Sequence, residues 1–149
     1  MVFAAFAPLA LAFCLSACGT VDPGPPTGPP MGCNGSPAFF VSDVWPKYLD
    51  KFGCGKVDCH DSRSGHSSFR LQDVSMVPTP GAGDAPSTWP DEWRFNYVNA
   101  TRQLNCSDPL SSRLLVKPEE AGVPHQGGKL VTGTDADAAR TLFVEWAGK

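Results

Sequence analysis

Cys54, Cys59 and His60 are the residues whose types and spacing carry the most chemistry in this chain. They lie in the stretch Phe-Gly-Cys-Gly-Lys-Val-Asp-Cys-His, from Phe52 to His60. Two thiols followed directly by an imidazole have the order of a covalent haem-attachment site, Cys-x-x-Cys-His. Here the gap holds four residues, giving Cys-x4-Cys-His. The order has a chemical reason. The two thiols add across the vinyl groups of a haem as thioethers, and the adjacent imidazole is held under the ring to ligate the iron. The same residues admit two other readings. Cys54 and Cys59 can be half-cystines beside an ordinary surface histidine, or they can bind zinc together with His60 and His66, since thiolates and imidazoles are the usual zinc ligands.

At this stretch the sequence resembles a bacterial c-type cytochrome domain, a superfamily in which some multihaem members use the four-residue gap. The resemblance implies covalent haem c on Cys54 and Cys59, with His60 as proximal iron ligand. It continues further along the chain. Asp-Pro-x-x-Ser-x-Leu-Leu, from Asp108 to Leu115, is followed by Lys117-Pro118. This phrase is similar to one that precedes the distal-ligand loop in a family of exported bacterial cytochrome-like domains. The corresponding loop here is Val123 to Lys129, so the resemblance implies His125 as second axial ligand. A Gly-Gly pair follows, which lets backbone approach a flat cofactor. Met76 stands near Pro78 and is the weaker alternative, because it follows the attachment motif too closely. The family order spans roughly Phe39 to Gly148 and implies a small, mainly α, cytochrome c-like domain of short helices with long Gly/Pro-rich loops.

The elements that must position these residues follow from periodicity. Val41, Val44, Trp45, Tyr48, Leu49 and Phe52 recur at helical spacing and predict a helix over Phe39–Phe52, with Ser42 as a cap, Pro46 near the first turn and Gly53 as its stop. Asp61 to Asp73 is polar and Gly/Ser-rich, a loop with Phe69 and Leu71 turned inward. Val77 to Pro90 is a Pro-rich surface loop. Thr88 and Asp91 have capping-box spacing before a short helix over Asp91–Val98 that places Trp93 and Tyr97 on one face. A further helix begins at Asp108, with Leu110, Leu114 and Leu115 as its apolar side. Thr134 and Asp137 again have capping-box spacing, ahead of a last helix striped by Ala138, Ala139, Leu142, Phe143 and Trp146 and stopped by Gly148. Phe52, Phe69, Trp93, Leu114, Leu115 and Trp146 can wall a pyrrole pocket, though they serve equally well as ordinary core.

Composition sets the compartment. The chain has 149 residues and a formal net charge of -3, with no Lys/Arg block, which argues against a nucleic-acid partner. Residues Val2 to Ala17 are uncharged and rich in Ala, Leu and Phe, too short to span a bilayer and ending in small residues, as a signal peptide does. Leu15-Ser16-Ala17-Cys18 resembles a bacterial lipobox, which implies cleavage before Cys18 and lipid on that cysteine. Five prolines fall between Gly19 and Gly32, so this segment favours extended polyproline II and suits a spacer from the membrane. The expected organisation is a signal peptide over 1–17, a lipid-anchored linker over 18–32 and one domain over 33–149.

Export gives a disulfide-permissive compartment. Once Cys14 leaves with the signal and Cys18 takes lipid, Cys33, Cys54, Cys59 and Cys106 remain. They can form two disulfides, or haem can take Cys54 and Cys59 and leave Cys33 to pair with Cys106. Two functions compete on this basis. One is a membrane-tethered monohaem electron carrier in the cell envelope, facing the periplasm or cell surface and serving a redox partner protein. The other is a non-haem, disulfide-stapled surface lipoprotein that binds or supports other molecules. No Gly-x-Ser-x-Gly, His-Glu-x-x-His or Walker loop is present, so neither reading assigns a catalytic residue or an enzyme activity. The anchor is directly testable: wild type should partition into detergent, and Cys18→Ser should abolish lipid incorporation. A cleaved Cys18→Ser protein that still partitions would refute the lipid anchor.

Overall fold

The computed structural model describes residues 35–56, 60–63, 67–120, 125 and 127–149. Helix makes up 49% of the interpretable part and no strand occurs among the described residues, so the class is mainly α. Helix α1 (Pro37–Phe39) runs directly into a π-helix (Phe40–Asp50), and α2 (Asp91–Thr101), α3 (Arg113–Val116) and α4 (Gly133–Gly148) follow. Two short 3₁₀ turns, Pro86–Thr88 and Pro109–Ser111, lead into α2 and α3.

The first helical segment starts earlier and winds wider than its sequence predicts. Ser36 is its N-cap, accepting from the Phe39 amide at 3.3 Å. Ser42 instead donates to the Ala38 carbonyl at 3.0 Å, inside the helix. Pro46 therefore lies well beyond the first turn. In an α-helix its ring would meet the carbonyl four residues back. The wider i→i+5 turn relieves that clash, and it still buries Val41, Val44, Tyr48 and Leu49 as the periodicity demands. Gly53, with φ of 65°, then reverses the chain, and the Cys54 amide reaches back to the Leu49 carbonyl at 2.8 Å.

The remaining helices keep their predicted apolar faces but not their predicted caps. Pro90 occupies the N-cap of α2, and Thr88 Oγ1 donates to the Ala85 carbonyl at 2.8 Å, so no capping box forms. The helix continues past Val98 to Thr101 because Ala100 is buried beside Trp93 and Tyr97. Leu110 sits on the 3₁₀ turn and is 48% exposed, whereas Leu114 and Leu115 are buried on α3. A break at Ser112, whose ψ is 128°, rotates Leu110 out of line with them. Helix α4 begins at Gly133, in the left-handed region at φ 56°, with no side-chain cap. Asp137 turns outward to Arg140, and Ala136 takes the buried place expected for the exposed Ala138.

Aromatic rings form the centre of the core. Phe40 packs against Tyr97, Trp146 and Trp45, Phe143 packs between Tyr48 and Trp146, and Trp93 meets Trp45. Two phenols tie distant segments together: Tyr97 donates to the Gly35 carbonyl at 2.7 Å, and Tyr48 to the Leu114 carbonyl at 2.6 Å. A fully buried Asn96 on α2 reaches the loop at Gln72, accepting from its amide at 2.6 Å and donating to its carbonyl at 2.8 Å. That loop turns Phe69 and Leu71 inward, as predicted. Asn96→Ala should therefore destabilise the domain by about 1 to 2 kcal/mol, because the amide and carbonyl of half-buried Gln72 lose their partner. Denaturant unfolding measures this, with Asn99→Ala on the half-buried side of α2 as the smaller control.

Candidate functional site

His60 is held by the loop that Asn96 anchors. Leu71, next to Gln72, donates its amide to the His60 carbonyl at 2.7 Å, and the Leu71 carbonyl accepts from Ser62 at 2.8 Å. This pairs Asp61 with Leu71 in a single parallel bridge. The imidazole is fixed as well. Its Nδ1 lies 3.0 Å from the Phe69 carbonyl, and the Phe69 ring packs edge-on at 4.9 Å. A carbonyl only accepts, so Nδ1 carries the proton and Nε2 keeps its lone pair in the neutral ring.

His125 is built in the same way from a different segment. Its Nδ1 lies 2.9 Å from the Gly128 carbonyl, and the Gly128 amide returns to the His125 carbonyl at 2.8 Å. Gly128 adopts φ of 75°, which closes this tight turn. A Cβ at Gly127 would come within 2.9 Å of His125 Cε1, so the ring lies against bare backbone. The turn is tied to the core through Pro118, whose carbonyl accepts from Leu130 at 2.9 Å and Val131 at 3.2 Å.

These two imidazoles, far apart in sequence, face one another with ring centroids 6.2 Å apart and planes 17° from parallel. Two imidazoles that share one metal ion, each bonded at about 2 Å, have ring centres roughly 5 to 6 Å apart, so the separation is compatible with a shared ion. Burial pushes the His60 ring below its ordinary pKa. The hydrogen bond to Phe69 acts in the opposite direction, and His125, Lys117 and Arg70 add to the depression. The ring is thus held neutral, the form a metal requires. Two imidazoles at this spacing have the donor chemistry that an iron or another transition metal takes.

Cys54 is buried in the core, close enough to Tyr48 that its charge, after burial, raises the phenol's pKa. Cys18, Cys33, Cys59 and His66 lie outside the described residues. Cys106 is disulfide-bonded, and its partner cysteine also lies outside them. No group of three or more metal-binding side chains occurs among the described residues. Met76 is 93% exposed, in a position unlike that of an axial ligand. Of the residues expected to wall a pocket, Phe69 touches His60, while Trp93 and Trp146 pack into the aromatic core and Phe52 lies on Tyr48. Sequence reasoning did not find the carbonyl anchors or the cations Arg70 and Lys117 beside His60. The positions of Arg70 directly after Phe69 and of Lys117 before Pro118 were the available signals.

No family model, curated protein or solved structure matches this chain. Among the described residues, no helix is long and apolar enough to cross a membrane.

The two glycines make separable predictions. Gly127→Ala should displace the His125 ring with little loss of stability, under about 1 kcal/mol, because only the tip of one side chain must move. Gly128→Ala should destabilise by about 1 kcal/mol through its left-handed backbone, with open space around the new methyl. Proton NMR contacts between the His60 and His125 rings report the first change, and denaturant unfolding the second.

Proposed function

We propose that this chain is a membrane-tethered, monohaem c-type electron-transfer module with a cytochrome c-like domain. The observation that supports the reading is the pair of imidazoles 6.2 Å apart, each with Nδ1 within hydrogen-bond distance of a backbone carbonyl. Cys54 and Cys59 are the residues that would hold the haem through thioethers, and His60 and His125 those that would ligate its iron. When bound, the haem iron supplies a one-electron couple. The chain's own groups then set its properties. Phe69 and Gly128 fix ring orientation and raise the ligands' basicity. Two imidazoles favour ferric iron more than a His/Met pair does, since methionine raises the potential. Lipid on Cys18 and the Pro-rich linker hold the domain at a membrane, and Cys33 pairs with Cys106.

The test is the visible spectrum of the mature protein made in a host that matures the four-residue gap. Haem should stay with the polypeptide in denaturing acid solvent. His60→Ala should disturb iron ligation and lower attachment. His125→Ala should leave attachment intact and convert low-spin iron to high-spin, with new carbon monoxide binding. Met76→Ala should change none of these. A colourless, well-folded protein with Cys54 and Cys59 in disulfides would overturn the cytochrome reading and leave the stapled lipoprotein in its place.

A further inference from the structure

Glu119 lies outside the histidine pair and is only half satisfied. Its side chain is 5% exposed, and its Oε2 accepts from Arg140 at 3.0 Å. Its Oε1 has no hydrogen-bond partner among the described residues. A buried carboxylate oxygen left without a donor is unfavourable. The side chain lines a cleft of about 430 Å³, together with Glu120, Lys129, Val131, Gly133 and Arg140. The lining is chemically mixed. Buried Val131 and Ala136 give it apolar surface. Helix α4 begins there at Gly133 with no side-chain cap, so the positive end of a 16-residue helix belongs to the wall. Exposed Lys129 makes no ion pair among the described residues, whereas Asp137 is already engaged by Arg140 at 3.2 Å.

We infer that this cleft binds a small zwitterion of the α-amino-acid type with an apolar side chain. The ligand's ammonium donates to Glu119 Oε1, the atom that lacks a donor. Its carboxylate takes the uncapped end of α4 and the Lys129 ammonium, since an anion suits a helix N-terminus. Val131 and Ala136 receive the apolar side chain. The mixed lining selects against simpler ligands. A bare amine meets Arg140, Lys129 and the positive end of α4. A bare carboxylate meets Glu119, Glu120 and Asp137. A ligand carrying both charges satisfies both sets, and the volume lies in the range of small-molecule sites. Arg140 is 47% exposed, so its guanidinium is the part that shifts as the ammonium reaches Oε1. The inference stands apart from haem binding, although Pro118 joins Glu119 directly to the segment that holds the His125 turn.

Amide-resolved NMR of the full chain tests the proposal with three probes. They are L-leucine, 3-methylbutylamine, which lacks the carboxylate, and 4-methylpentanoate, which lacks the amine. L-Leucine should give saturable shifts concentrated at residues 119, 129, 133 and 136. Each singly charged compound should bind about tenfold more weakly or worse. Glu119→Gln keeps the side chain's shape and removes its charge, and should weaken L-leucine by about tenfold or more. Because Glu119 is buried, a variant at an exposed position is measured beside it. Lys129→Ala should weaken L-leucine by about threefold while leaving the denaturant midpoint unchanged. No saturable shift at these residues would overturn the site. Equal binding of the amine alone or of the acid alone would overturn the zwitterion assignment, and undiminished affinity in Lys129→Ala would overturn the place given to the carboxylate.

Discussion

Two backbone carbonyls, those of Phe69 and Gly128, constrain everything this site can do. An imidazole has two nitrogens, and the one given to a carbonyl is no longer available to a metal. A ring whose Nδ1 proton goes to a carbonyl has Nε2 as its remaining nitrogen, and the same hydrogen bond fixes its orientation. This also explains why so much of the fold converges on two short loops. Asn96 fixes Gln72, Leu71 fixes the His60 backbone, and Pro118 fixes the turn that holds His125.

The helices supply the rigidity those loops lack. The π-helix and α4 meet through Tyr48, Phe143, Phe40 and Trp146, and the Tyr48 phenol reaches across to the α3 backbone. Burial raises the Tyr48 pKa, with the charges of Cys54 and Glu119 adding to it, so the phenol stays protonated and remains a donor. The core thereby binds the helix entering the cysteine motif to the segment leading toward His125. Asp61 and Glu119, the carboxylates buried nearest these loops, are each paired with an arginine. This matters because a buried charge without a partner is strongly destabilising.

Much of the helical framework was legible in the chain. Val41, Val44, Tyr48, Leu49, Trp93, Tyr97, Leu114, Leu115, Leu142, Phe143 and Trp146 were read as apolar faces, and all are buried. Caps and windings were not. Capping-box spacing at Thr88/Asp91 and Thr134/Asp137 describes what an isolated helix end can do. Here Pro90 and Gly133 set the backbone angles first and draw each helix start to another residue. The π winding around Pro46 was likewise hidden, because periodicity over one short helix hardly separates 3.6 residues per turn from a wider helix.

The sequence by itself singled out the candidate residues: two cysteines beside His60, and a histidine ahead of Gly127 and Gly128. It also determined that short amphipathic helices would carry them, since the spacing of apolar side chains decides which face must leave water. Only the tertiary structure decided that His60 and His125 come together at 6.2 Å, and that each sets Nδ1 against a backbone carbonyl. The reason is physical. The two residues belong to loops with no periodicity of their own, and their separation is fixed by contacts remote in sequence: an amide on α2, a carbonyl at Pro118 and an aromatic core between them.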